Sequence, residues 1–145
     1  MTVKPIPVGY QTLTPSCAIE RCAAAIDLYR RVFDARLEVR LDAPDGTVAH
    51  CELRFGDSRL MMGEAGPRTP RRIVGLMLYL ADVDASFRRA VEAGFTVKDP
   101  PAVQFWGDRT ARLVDPHGNE WYLATHVEDV SEEEMKRRMA AFSAG

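Results

Sequence analysis

The sequence predicts an α+β protein of two βαβββ modules enclosing a cavity, and three observations carry that expectation. The order strand, helix and three strands can be read twice along 145 residues. A stretch bearing Gly66, Pro67 and Pro70 separates the two readings. Helix positions recur 58 residues apart, Tyr29 with Phe87 and Phe33 with Val91. Each module would supply a sheet covered by a helix on one face. Two such sheets need a partner for their open faces and so form a cleft suited to a ligand.

The elements follow in order. Residues 1–11 form an N-terminal arm, because Pro5 and Pro7 block both helix and central strand. The first module spans 12–64. Its first strand, Leu13 to Ile19, alternates so that Thr14, Ser16 and Ala18 share a face. Ala23 to Phe33 is a helix with Ile26, Tyr29 and Phe33 on its apolar stripe. Leu37 to Leu41, Val48 to Phe55 and Arg59 to Gly63 are strands, separated by the turns Pro44-Asp45-Gly46 and Gly56-Asp57. His50, Glu52 and Arg54 face away from Ala49, Cys51, Leu53 and Phe55.

A linker covers 65–72, and the second module spans 73–127. Val74 to Leu80 is its first strand. Asp82 caps a helix whose buried stripe is Val83, Phe87, Ala90 and Val91, and Gly94 stops it. Phe95 to Lys98 is a short strand that Asp99-Pro100-Pro101 ends. Thr110 to Val114 and Glu120 to Thr125 flank the turn Asp115-Pro116-His117-Gly118-Asn119. In 128–145, Ser131 and Glu134 have capping-box spacing ahead of a C-terminal helix. Its apolar face, Met135, Met139 and Phe142, packs either on its own subunit or on a dimer partner.

Composition narrows the function. The chain is 46% hydrophobic and 28% charged, enough for a packed core, and its net charge of −2 argues against a nucleic-acid surface. The absence of a long apolar run and of a signal peptide points to a cytoplasmic protein with no membrane partner. Cys17, Cys22 and Cys51 are odd in number and lack Cys-x-x-Cys spacing, so free thiols are expected and a zinc site is not.

Several stretches, in order and over nearly the whole chain, resemble the vicinal-oxygen-chelate superfamily (the glyoxalase/bleomycin-resistance fold), and within it the PhnB-like branch. They are Lys4-Pro5-Ile6-Pro7, Tyr10-Gln11-Thr12-Leu13-Thr14-Pro15 and Ala25-Ile26-Asp27-Leu28-Tyr29, then His50-Cys51-Glu52-Leu53 and Gln104-Phe105-Trp106-Gly107-Asp108-Arg109. Asp115-Pro116-His117-Gly118 and Leu123-Ala124-Thr125-His126-Val127-Glu128-Asp129-Val130 complete them. The resemblance implies paired modules around an open barrel-like cavity, usually in a homodimer.

It also implies, in metal-dependent members, four ligand positions. Those map near Thr14, near Met61 or Met62, near Gly75 or Leu76, and at Tyr122, none of them His, Asp or Glu. A hard divalent ion needs carboxylate or imidazole donors, so neither a metal nor any other cofactor is expected. Glu64 has the strand parity of Met62 and is the one carboxylate within reach. The branch carries His where this chain has Gln11, and Tyr where it has Ser16.

Candidate site residues divide by role. His50 and Glu52 lie two apart on one strand face, where a carboxylate orients an imidazole for proton transfer. The bland alternative is a polar outer face. Asp108 is a second candidate base, with Trp106 as an aromatic wall and Arg109 as an anion clamp. The alternative is an Asp108–Arg109 contact that pins a loop, with Trp106 as core packing. Thr14, Ser16 and Tyr122 complete the ligand-binding set. His117 reads as an exposed turn residue and His126 as structural.

Two functions remain open. One is a metal-independent binder of a small aromatic or amphipathic molecule, an antibiotic or a metabolite. The other is a cofactor-free lyase or isomerase using a His–Glu or Asp base, with Arg or Tyr steadying an oxyanion.

Overall fold

The computed structural model describes residues 2–145; Met1, the first residue of the expected arm, lies outside them. The chain divides into two compact units, one ending at Val74 and one beginning at Gly75. The first unit contains β1 (Ser16–Ile19), α1 (Cys22–Phe33), β2 (Arg36–Asp42), β3 (Val48–Phe55) and β4 (Ser58–Glu64). The second contains β5 (Gly75–Tyr79), α2 (Val83–Glu92), β6 (Thr96–Val103), β7 (Asp108–Val114), β8 (Glu120–His126) and α3 (Glu132–Ala144). Each unit holds one four-stranded sheet, ordered β1-β4-β3-β2 in the first and β5-β8-β7-β6 in the second. In both, the first strand runs parallel to the last and the other pairs are antiparallel. The protein is α+β with the expected repeat.

Strand alternation divides each sheet into two faces. Cys51, Leu53, Leu60 and Met62 are buried toward α1, which returns Ala25, Ile26 and Tyr29. In the second unit Ala111, Leu113, Trp121 and Leu123 are buried toward α2.

The way each helix starts repeats as well. Arg21, at the N-cap of α1, is left-handed (φ 56°) and supplies no side-chain cap. Instead, the last residue of β4 serves: the Glu64 carboxylate accepts from Arg21 N and Cys22 N, each at 2.8 Å. A carboxylate there satisfies orphan donors and suits the positive end of the helix dipole. In the second unit Asp82 accepts from Ala85 N at 3.1 Å, and Thr125 Oγ1 accepts from Val83 N at 2.9 Å. Glu64 therefore belongs to the helix rather than to the open face.

Pairing register fixes the repeat. Cys51 lies opposite Met62 and Ala111 opposite Leu123; Leu53 lies opposite Leu60 and Leu113 opposite Trp121. From β4 to β8 the offset is 61, as from Met62 to Leu123, and the stripe Cys22, Ala25, Tyr29 matches Val83, Ser86, Ala90 at the same offset. The expected 58 is corrected accordingly. Three residues are close to one helical turn, so the wrong offset still selected the right helix face. It did misplace Val91, which is 42% exposed, while Ser86 takes a buried position.

Two further expectations change. β6 continues through Asp99-Pro100-Pro101, with register shifts on both sides of Asp99. It is an edge strand, where prolines omit no needed ladder bond. His117 is 7% exposed rather than open to solvent. Asp115 Oδ1 accepts from His117 N and Asn119 N, and its Oδ2 from Trp121 Nε1, curling the turn inward. In α3, Ser131 caps as expected, accepting from Glu134 N at 3.2 Å, yet none of the helix residues is buried. Phe142 meets Phe105 at 5.6 Å between ring centroids, and Arg138 donates to Glu128 and to Phe105 O.

Candidate functional site

The open face of each sheet is the one its helix does not cover. In the second unit β7 turns Asp108, Thr110 and Arg112 to that face. Their β8 partners are His126, Ala124 and Tyr122, and β5 adds Tyr79 and Met77 beside Ala124 and Tyr122. Met77 and Tyr79 are 48% and 58% exposed. Large apolar side chains left bare on a sheet face point to an interaction there. Around Tyr122 the surface sinks into a cleft of about 480 Å³, lined among others by Met77, Lys98, Arg112 and Glu120. Arg112 is paired with Asp99, and its guanidinium lies 5.9 Å from the Tyr122 ring centroid.

At the other end of this face Asp108 is the centre of a polar cluster. It is 2% exposed, and its two oxygens take three donors. His126 Nδ1 lies 2.8 Å from Oδ1; Tyr79 Oη donates to Oδ2 at 2.8 Å and Trp106 Nε1 at 3.1 Å. His126 Nε2 reaches Asp129 at 2.7 Å. Burial pushes the Asp108 carboxyl up, but the His126, Tyr79 and Trp106 hydrogen bonds outweigh it and hold the group below its ordinary range. His126 is raised by its bonds to Asp108 and Asp129. An imidazole between two carboxylates donates from both nitrogens only when it is protonated. Three donors thus occupy Asp108, two on Oδ2 and one on Oδ1.

Arg109 has the opposite parity. Its Nε and Nη2 donate to Asp84 of α2 at 2.7 and 2.9 Å, so its fork is occupied on the helix side. The structure brings Trp106 and Asp108 together and takes Arg109 away from them.

In the first unit the open face carries Glu52, 6% exposed. His50 Nε2 lies 2.8 Å from its Oε2, and Tyr10 of the arm donates its phenol to Oε1. Arg59 stands 3.8 Å from the same carboxylate and stacks 4.4 Å from the Tyr10 centroid. Burial raises the Glu52 pKa, and the bonds from Tyr10 and His50 override it, leaving the group lowered. Ser16 is exposed and accepts from Arg72 Nη2 at 3.2 Å; Thr14 lies just before β1.

Register also locates the positions at which metal-dependent relatives would place ligands. Met61 faces the open side opposite both Ser16 and Glu52, while Met62 is buried toward α1. Tyr122 lies opposite Met77, and Gly75 shares its face. A thioether, a hydroxyl and a phenol do not fit a hard divalent ion. Among the described residues no three His, Cys, Asp or Glu side chains gather as a metal site.

Sequence reasoning missed Tyr10, Arg59, Tyr79 and Arg112, and read His126 as structural. A signal for His126 was present. An unbroken hairpin closed by Asp115–Asn119 carries the pairing outward from Val114–Glu120 to Asp108–His126. Nothing comparable announces Tyr10, whose partner lies 42 residues away.

Known proteins share this architecture. The uncharacterized protein Mb0911c of Mycobacterium bovis is 34% identical over 144 residues, covering 92% of this chain and 95% of that protein. The crystal structure of TioX from Micromonospora sp. ML1 matches with a TM-score of 0.69 at 28% identity, covering 81% of this chain and 99% of that one. TnmS3, an antibiotic binding protein from Streptomyces sp. CB03234, matches with a TM-score of 0.62 at 26% identity, over 87% of this chain and 98% of that one. The family described as Glyoxalase/Bleomycin resistance protein/Dioxygenase superfamily matches residues 16–123, from β1 into β8. This chain belongs to that superfamily.

Proposed function

We propose that the protein binds a small aromatic or amphipathic organic molecule, of the antibiotic or metabolite kind, on the open face of its second sheet, without a metal ion. The observation that carries the reading is the cleft of about 480 Å³ around Tyr122, with Met77 beside it and Arg112 and Lys98 at its margin. Apolar walls with a few polar groups are what small-molecule recognition requires. Kinship with an antibiotic binding protein supports the ligand class. The anion-contacting role expected of Arg109 passes to Arg112 and Lys98, and Trp106 remains a wall group at the Asp108 end. The three free cysteines, Cys17, Cys22 and Cys51, fit the reducing compartment of a cytoplasmic protein, and family resemblance supports a homodimer, which sedimentation at micromolar concentration tests.

Titration with bleomycin and with naphthalene-2-sulfonate, followed by fluorescence of Trp121 beneath the cleft, tests the reading. Tyr122→Ala removes a stacking surface worth about 1.5 kcal/mol, a loss of about tenfold in affinity. Unchanged affinity in that variant, or no binding by either compound, sinks the proposal.

A second reading, a metal-free lyase or isomerase, is favoured by one observation: a buried Glu52 holding His50 at 2.8 Å. It places the base in the first unit. His50→Ala abolishing turnover of a bound compound while leaving its affinity intact supports this reading over simple binding.

A further inference from the structure

We propose that Tyr10, His50, Glu52 and Arg59 form a phenol-binding site, filled in this structure by the chain's own Tyr10 and open to a free hydroxyaromatic molecule when the arm lifts. The site is built like a receptor for a phenol. A buried carboxylate accepts the hydroxyl, an arginine lies 4.4 Å from the ring centroid, and His50 holds the other carboxylate oxygen at 2.8 Å. A phenol offers one donor and one π face, and this arrangement meets both.

The fastening of the arm supports exchange. Val3, Val8 and Leu13 are exposed, so the arm buries little apolar surface. Tyr10 is held through its hydroxyl and ring, and the adjoining backbone by one further bond, Arg59 Nε to Gly9 O at 2.9 Å. A buried carboxylate is costly, and holding down so bare a strap is little return for it. By register Glu52 is the counterpart of Arg112: each lies opposite the open-face residue of its last strand, Met61 or Tyr122. The two modules thus carry a charged side chain at the same place, and in the first the arm covers it. The inference does not depend on binding at the second sheet.

A tethered phenol competes at an effective concentration of order 10 mM. Against a free phenol of about millimolar affinity, it suppresses binding about tenfold. The test uses the full chain, 4-methylphenol as probe, and 4-methylanisole as its counterpart without a donor, followed by saturation-transfer NMR and by the His50 imidazole resonances. Tyr10→Ala is expected to bind 4-methylphenol about tenfold more tightly than the unaltered protein, and 4-methylanisole about tenfold more weakly than 4-methylphenol. Tyr10→Phe keeps the ring and drops the hydroxyl. It should admit 4-methylphenol several-fold more readily than the unaltered protein, and it decides the matter if Tyr10→Ala does not fold. Adding Glu52→Gln to either variant should reduce the preference for the phenol. If the folded variants bind 4-methylphenol no better than the unaltered protein, or do not distinguish it from 4-methylanisole, the proposal is overturned.

Discussion

Asp108→Asn is the substitution that most directly tests the polar cluster on the second sheet. The carboxylate is 2% exposed and accepts from His126, Tyr79 and Trp106. An amide of the same shape keeps one acceptor oxygen and turns an NH2 group toward donors. Hydrogen bonds to a charged group contribute about 1.5–3 kcal/mol each. His126 and Tyr79 are exposed enough to recover bonds to water, whereas Trp106 is half-buried. The net cost is therefore about 2–3 kcal/mol, roughly one such bond, and at about 2–4 °C per kcal/mol the melting temperature should fall by roughly 8 °C.

The pH profile sharpens the test. Asp108 is held below its ordinary 3.8, so its contribution is complete above that value and fades as pH falls through the depressed pKa. His126 is raised above 6.5, so its contribution is complete below 6.5 and fades as pH rises through the raised pKa. The unaltered protein should have a stability plateau between about pH 4 and 6.5 and lose stability on the alkaline side. In Asp108→Asn that alkaline loss should be shallower, because His126 keeps only the solvent-exposed Asp129, and its NMR titration should shift down. Urea denaturation at pH 5.5 and 8.5 measures both effects. Stability within about 0.5 kcal/mol of the unaltered protein at pH 5.5, or an equally steep alkaline loss, refutes the reasoning.

Gly107→Ala should cost more than about 3 kcal/mol, because φ is +101° and a Cβ would sit 2.1 Å from Glu128 O, a backbone atom that must move; thermal melting checks it. Glu64→Ala removes the acceptor of two N–H groups at the start of α1 and should cost about 1–2 kcal/mol by urea denaturation, with Glu64→Gln losing less. Arg109→Ala breaks an ion pair with Asp84 that is about a third exposed on both sides, so solvent screens it and thermal melting should shift little. It should also leave naphthalene-2-sulfonate affinity unchanged, which separates it from Tyr122→Ala in the same titration.

Legibility differed with the range of the interaction. The bounds of β3 were readable, because alternation of Cys51, Leu53 and Phe55 against His50, Glu52 and Arg54 is a local signal, but Ala49, expected with the apolar set, is exposed and Val48 is buried, where a register shift interrupts the pairing with β2. The His50–Glu52 contact followed from the same alternation. Arg109 was not placed, since its role depends on which face α2 covers, and that is decided by Asp84, 25 residues earlier. β6 was cut short because Asp99-Pro100-Pro101 is a breaker by composition, and only its edge position makes the prolines harmless. Strand parity left open whether Glu64 reaches the cavity. It is drawn to the helix because Arg21, the N-cap residue, cannot supply the acceptor.

That last case separates the positions that maintain the fold from those free to carry function. Glu64 and Thr125 lie at matching positions near the end of the last strand of their modules, and both accept N–H bonds at the start of the module's helix. The side chains differ, but each is an oxygen acceptor, because orphan helix donors demand one. On the open faces no such demand acts. There the register sets Ser16, Met61 and Glu52 in one sheet against Met77, Tyr122 and Arg112 in the other, three pairs with no shared chemistry. A buried carboxylate and a guanidinium at one structural address answer no single requirement common to both modules. Their divergence shows that the fold leaves the chemistry of the open face free, and the binding proposed at Tyr122 and at Glu52 uses that freedom, whereas Arg109 on the helix side is held by Asp84.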